Sequence, residues 1–131
     1  MDARAKRCRF LEDALRALEL PGEVVEGRAE AIGRSSRRQT ADAVVARSFG
    51  LPATTVECGS PLLTLGGRLI VSEPPPPIPP DRWPVDALAT LGLELAEHIG
   101  AGPSVQVLVQ RRSCPDEFPR RDGLPGNRPL F

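Results

Sequence analysis

Arg47 ends the apolar run of residues 42–46 in "ADAVVARSFG". A short apolar run bounded by polar residues reads as a buried parallel strand. The carboxyl end of such a strand is where open α/β sheets bind ligands. An arginine there offers a planar fork to a carboxylate or a phosphate. Its structural alternative is a salt bridge to a nearby acid. Arg111, Arg112, Arg120, Arg121 and Arg128 make residues 111–131 a basic tail that could contact phosphates; the alternative is a solvated terminus. Asp2 stands just ahead of a helix pattern, where an acidic side chain can serve as a cap. The remaining chemistry-bearing residues are sparse. Cys8, Cys58 and Cys114 form no CxxC pair, and their odd number supports neither a disulfide framework nor a zinc site. Cys8 falls on the apolar side of the first helix and is expected to be a buried thiol. His98 is the only histidine and lacks metal-ligand spacing. No GxSxG or HExxH occurs, and no base adjoins a nucleophile, which argues against a hydrolase.

The 131 residues are enough for one domain with a real core. Nothing reads as a signal peptide or as the roughly 18 apolar residues of a membrane helix, so a cytoplasmic chain without membrane contact is expected. The net charge of zero is unevenly spread. Residues 1–47 carry ten basic and eight acidic side chains, residues 48–110 two and six, and residues 111–131 five and three. Basic ends around an acidic middle lend weak support to a polyanionic partner; solvated faces are the simpler account.

The elements that must hold these residues alternate. Phe10, Leu11, Ala14, Leu15 and Leu18 give residues 4–18 a helical period, ended by Pro21 and Gly22. Val24 and Val25 suggest a short strand, and "AIGRSSRRQT" a polar loop with one helical turn. A helix is expected over residues 52–64, with Pro52 in its first turn and Pro61 shortening it. "LGG" reads as a turn before a strand at residues 68–72. "EPPPPIPP" reads as a stiff extended connection. Pro84 opens a short helix that Gly92 follows. Residues 93–99 and 104–110 read as a hairpin joined by "GAGP", and the tail as irregular. Alternating helices and strands imply an α/β domain, a mainly parallel sheet with a C-terminal antiparallel hairpin.

Several segments in order, "DARAKRCRFLEDAL", "VVEGRAE", "DAVVARSF", "PLLTLGGRLIVSEPP", "DRWP" and "CPDEFPRRDGLPGNRPLF", resemble the RsmG (GidB) methyltransferase family. The resemblance implies a class I (Rossmann-like) methyltransferase fold that uses S-adenosylmethionine to methylate guanine N7 in small-subunit ribosomal RNA. It implies that residues 1–131 match the C-terminal portion only, N-terminally truncated, without the first strand and its glycine-rich loop. Neither "GGR", "FGLP" nor "GAGP" lies after the right strand to replace that loop. The strand near residues 24–26 is then expected to sit apart, while those near 42–46, 68–72, 93–99 and 104–110 share a sheet.

By the same resemblance, Asp2 corresponds to the acid that binds the cofactor ribose, Ala29 and Glu30 to a pair against the adenine, and Arg47 to a cofactor contact. Arg120, Arg121 and Arg128 correspond to RNA contacts. The implied partner is small-subunit ribosomal RNA or the ribosomal subunit, with the chain a monomer that needs no metal. Neutral guanine N7 is a lone-pair acceptor. Its methylation requires alignment and exclusion of water rather than a general base, so no catalytic residue is assigned. The other reading is an inactive remnant acting only as a binding or structural fragment, and the chain alone is not expected to transfer methyl groups at a useful rate.

Overall fold

The computed structural model describes residues 1–100 and 103–131. Its elements run α1 (Ala5–Ala17), α2 (Ala29–Gly33), β1 (Ala41–Ala46), α3 (Pro52–Gly59), a 3-10 turn (Ser60–Leu62), β2 (Leu63–Ser72), α4 (Val85–Thr90), β3 (Leu93–Ile99), β4 (Val105–Gln110) and α5 (Leu124–Asn127). The four strands form one sheet in the order β1-β2-β4-β3. β1 pairs parallel to β2, and β4 runs antiparallel to both β2 and β3. Three strands therefore share one direction and β4 alone opposes them. This is the α/β arrangement with a closing hairpin that the pattern predicts. The tip of "GAGP", Ala101 and Gly102, lies outside the described residues.

Two boundaries differ from expectation. Pro61 ends α3 early, and β2 starts at Leu63 instead of 68. "LGG" is a bulge inside β2 rather than a turn before it. Ala41 pairs with Leu63 and Ala43 with Arg68, so the glycines loop out between two paired positions. Gly66 has φ +79, and a Cβ on Gly67 would lie 2.9 Å from the Thr64 carbonyl oxygen. Only glycine fits there without displacement.

The core lies under β2 and β4. Val56, Leu63, Leu69, Trp83, Leu88 and Leu108 belong to one buried cluster, which the tail closes with Cys114 and Phe118. The tail is thus docked, not solvated. Arg38 holds it by donating to the carbonyls of Cys114 (2.6 Å), Pro115 (2.9 Å) and Phe118 (2.6 Å). β1 is parallel as expected but is an edge strand rather than a buried one, and Val45 is 74% exposed. The segment at residues 24–26 does sit apart. Its pairing is a single parallel bridge between Asp2 and Glu26, with the Asp2 amide donating to Val25 and the Gly27 amide to Asp2. α1 buries only Cys8, whose thiol donates to the Asp2 carbonyl at 3.3 Å.

Candidate functional site

Arg47 leaves β1 where the chain turns sharply. The next residue, Ser48, has φ +51, the left-handed region that costs a non-glycine residue about 1 kcal/mol. Two cavities meet at this turn. The first, about 630 Å³, lies between β1 and the Asp2–Val25 segment, and its wall includes Asp2, Ala29, Val44, Arg47 and Thr55. The second, about 640 Å³, lies beyond the carboxyl ends of β1 and β2, with Glu73, Pro74, Pro75, Arg82 and Ser104 in its wall. Residues 46–49 and Thr55 line both. Arg47 is exposed, and no ion pair engages it among the described residues.

Asp2 lines the first cavity with its carboxylate already engaged. Oδ1 accepts from the Arg4 amide at 2.9 Å and Oδ2 from Arg7 Nη1 at 3.0 Å. The Arg4 amide, then the Arg7 guanidinium, hold the carboxyl below its usual range. A carboxylate has about four lone-pair sites, so two remain for hydroxyl donors. Ala29, at the start of α2, presents only a methyl group to the cavity.

Glu30 does not join this group. It is buried on the side facing the tail, where its Oε1 accepts from Arg28 Nη2 (2.9 Å) and from the Gly123 amide (2.9 Å). Burial alone would push its carboxyl up. The Arg28 guanidinium and the amides of Gly123 and Glu30 itself outweigh that and hold it below the usual value. The Glu30 side chain thus turns to the donors that neutralise a buried carboxylate, while Ala29 beside it lines the same cavity as Arg47.

Arg120 likewise has its fork filled. Its Nε and Nη2 donate to Glu57 at 2.8 and 2.7 Å, and its amide donates to the same carboxylate at 3.0 Å. Glu57 is fully buried, so Arg120 neutralises a charge within the core. Arg111 pairs with Glu94 at 3.3 Å, and Arg112 donates to the Ala89 carbonyl at 2.7 Å. Arg121 and Arg128 are exposed. Cys58 lines the first cavity, but burial, then the charges of Glu30 and Glu57, push its thiol up to about 12, which rules out a ready nucleophile. Among the described residues no group of His, Cys, Asp or Glu is placed to hold a metal ion, and no helix is long and apolar enough to cross a membrane.

A profile of the family described as GidB, rRNA small subunit methyltransferase G, matches residues 1–72, more than half of the chain. The chain belongs to this family. Three relatives carry the name ribosomal RNA small subunit methyltransferase G. The protein of Leuconostoc mesenteroides is 30% identical, with 99% of this chain and 58% of the relative covered. That of Carboxydothermus hydrogenoformans is 32% identical, with 99% and 59% covered. That of Thermotoga maritima is 31% identical, with 100% and 58% covered. The chain therefore spans about three-fifths of the length of the curated relatives it matches. Asp2, Ala29, Glu30 and Arg47 all fall within the family match, while Arg82 and the tail arginines fall beyond it. Sequence reasoning missed Glu73 and Arg82 as cavity residues; the signal available was an arginine beside the single tryptophan in "DRWP".

Proposed function

We propose that the chain serves an S-adenosylmethionine-dependent methyltransferase of the RsmG type, as a partial class I domain acting on guanine N7 of small-subunit ribosomal RNA in the cytoplasm. The observation that carries this reading is the junction of two cavities at Arg47. A group-transfer enzyme needs donor and acceptor in adjoining compartments, aligned across a short gap.

The donor set of the first cavity fits the cofactor's nucleoside and carboxylate ends. The free lone pairs of Asp2 accept from ribose hydroxyls, Ala29 permits close approach of the adenine, and Arg47 pairs with the carboxylate through a charge-assisted bond. When bound, S-adenosylmethionine supplies an electrophilic methyl group on a sulfonium. The acceptor N7 carries a lone pair and no proton, so the chain needs no base. Its residues instead orient the reactants, and Phe49 and the prolines of the second cavity exclude water. The exposed Arg121 and Arg128 supply charge toward the RNA backbone.

One observation favours a second reading, a binding fragment without catalysis. Among the described residues Gly59 is the single glycine in the first cavity's lining, and a Cβ on it would meet a Leu69 methyl at 2.9 Å. It is a packing glycine, not a loop through which backbone approaches a cofactor. Fusing the chain to the part of a curated relative that it does not span separates the two readings. The enzyme reading predicts transfer of tritiated methyl to unmodified small-subunit RNA, with cleavage chemistry locating it at guanine N7. A fusion that binds the cofactor and the RNA yet transfers nothing would favour the fragment.

A further inference from the structure

The second cavity contains a cluster that the family match does not reach. Glu73 follows β2 directly. Its amide donates to the Ser104 carbonyl at 2.8 Å, which ties it to the start of β4. Its side chain is 1% exposed and both oxygens are used: Oε2 accepts from Arg82 Nε at 2.5 Å and Oε1 from Trp83 Nε1 at 2.5 Å. The Arg82 guanidinium also lies 5.4 Å from the centre of the Trp83 ring. Arg82 is therefore held at one edge by a buried carboxylate and on one face by an indole.

What this leaves free is specific. A guanidinium has five N–H donors, and the anchoring bond takes the one on Nε. The two Nη groups have no acceptor among the described contacts, and the side chain keeps 20% of its surface exposed. Arg82 and Arg47 line the same cavity, and Glu73 is the single carboxylate there among the described residues. Two guanidinium groups against one carboxylate leave one positive charge, which matches a phosphodiester. Holding a long side chain in place before binding removes much of the entropy cost that a free surface arginine would bear.

We infer that Arg82 is a preset contact for a backbone phosphate of single-stranded RNA entering the second cavity, with Glu73 as its positioning residue. The inference rests on the RNA-methyltransferase reading and adds to it a binding residue outside the arginine tail. Binding of a fluorescent single-stranded oligoribonucleotide to the whole chain, measured over a series of salt concentrations, tests it. Arg82→Gln should weaken binding about three- to tenfold at 0.1 M salt and lower the slope of log K against log salt by about 0.7, the share of one phosphate on a single strand. Arg82→Lys should recover the slope but not the full affinity, since it keeps the charge and loses the Nε anchor. The double variant Glu73→Gln, Arg82→Gln removes the buried charge along with its partner, so it reads the same loss without leaving a lone carboxylate in the fold. Arg16→Gln, on exposed α1, should change neither quantity. Millimolar inorganic phosphate should leave oligonucleotide binding by wild type as it is; equal competition would point to a free-anion site and overturn the RNA assignment. Unchanged affinity and slope in both Arg82→Gln and the double variant would overturn the inference and leave the broader function standing. An absence of RNA binding by wild type would overturn both.

Discussion

The front of the chain and its back are built differently. Every member of the buried core cluster comes from residue 56 or beyond, and Val44 is the earliest partly buried hydrophobic residue packed against it. Ahead of it, α1 carries Phe10 at 69% exposure and Leu18 at 67%. The back closes through three strand pairings and a docked tail; the front through one isolated bridge, ion pairs such as Arg37 with Glu23, and polar bonds from Arg34, Arg38 and Glu30 to the tail. An amphipathic period is therefore enough to form a helix but not to bury its apolar face. Asp2 and Arg47 line the first cavity between these two regions. The proposed cofactor site has one wall in the loosely held front and one in the firm sheet.

Substitutions should expose this asymmetry. The largest effect is expected at the tail clamp. Arg120→Ala strands the Glu57 carboxylate in the core, which should cost about 3–5 kcal/mol in denaturant unfolding. A loss below about 1 kcal/mol would mean that the tail is not part of the cooperative unit. Leu69→Ala empties a fully buried position in the sheet and should cost about 2–4 kcal/mol. A smaller effect is expected from acid. Glu30 titrates below its ordinary 4.5 in the folded chain, so its charge favours folding above that pH. This stabilisation should fade as the pH falls below about 4.5 toward the lowered value. Melting curves of Glu30→Gln should show a shallower loss over that range, and an identical acid profile would remove Glu30 as the link between α2 and the tail. The smallest effect should come from the front. Phe10→Ala is expected to change stability by less than about 0.5 kcal/mol, and a core-sized loss there would contradict the comparison.

The parts legible in the sequence were those governed by neighbours along the chain. The apolar runs at residues 93–99 and 104–110 revealed the hairpin, Pro61 marked the end of α3, and an arginine directly after a strand marked Arg47. A glycine pair was ambiguous, because the freedom that permits a turn also permits a bulge inside β2. The side-chain partners of Glu30 and Arg120 were not legible for another reason. Their partners lie 93 and 63 residues away, at Gly123 and Glu57. No spacing rule reaches that far, and a charge that reads as available in sequence is consumed once a buried opposite charge folds against it. Arg82 was overlooked for the same cause, since its proposed role depends on Glu73 being buried.

Arg47 joins the two cavities, so its proposed contact with the cofactor carboxylate is the claim on which the rest turns. Calorimetric titration of wild type and Arg47→Ala with S-adenosylmethionine, and separately with adenosine, tests it directly. Adenosine keeps the ribose and the base but lacks the carboxylate. The expected result is that Arg47→Ala weakens S-adenosylmethionine about ten- to a hundredfold, the loss of one charge-assisted bond, and leaves adenosine unchanged. Equal weakening of both ligands, or of neither, would show that Arg47 does not hold the carboxylate.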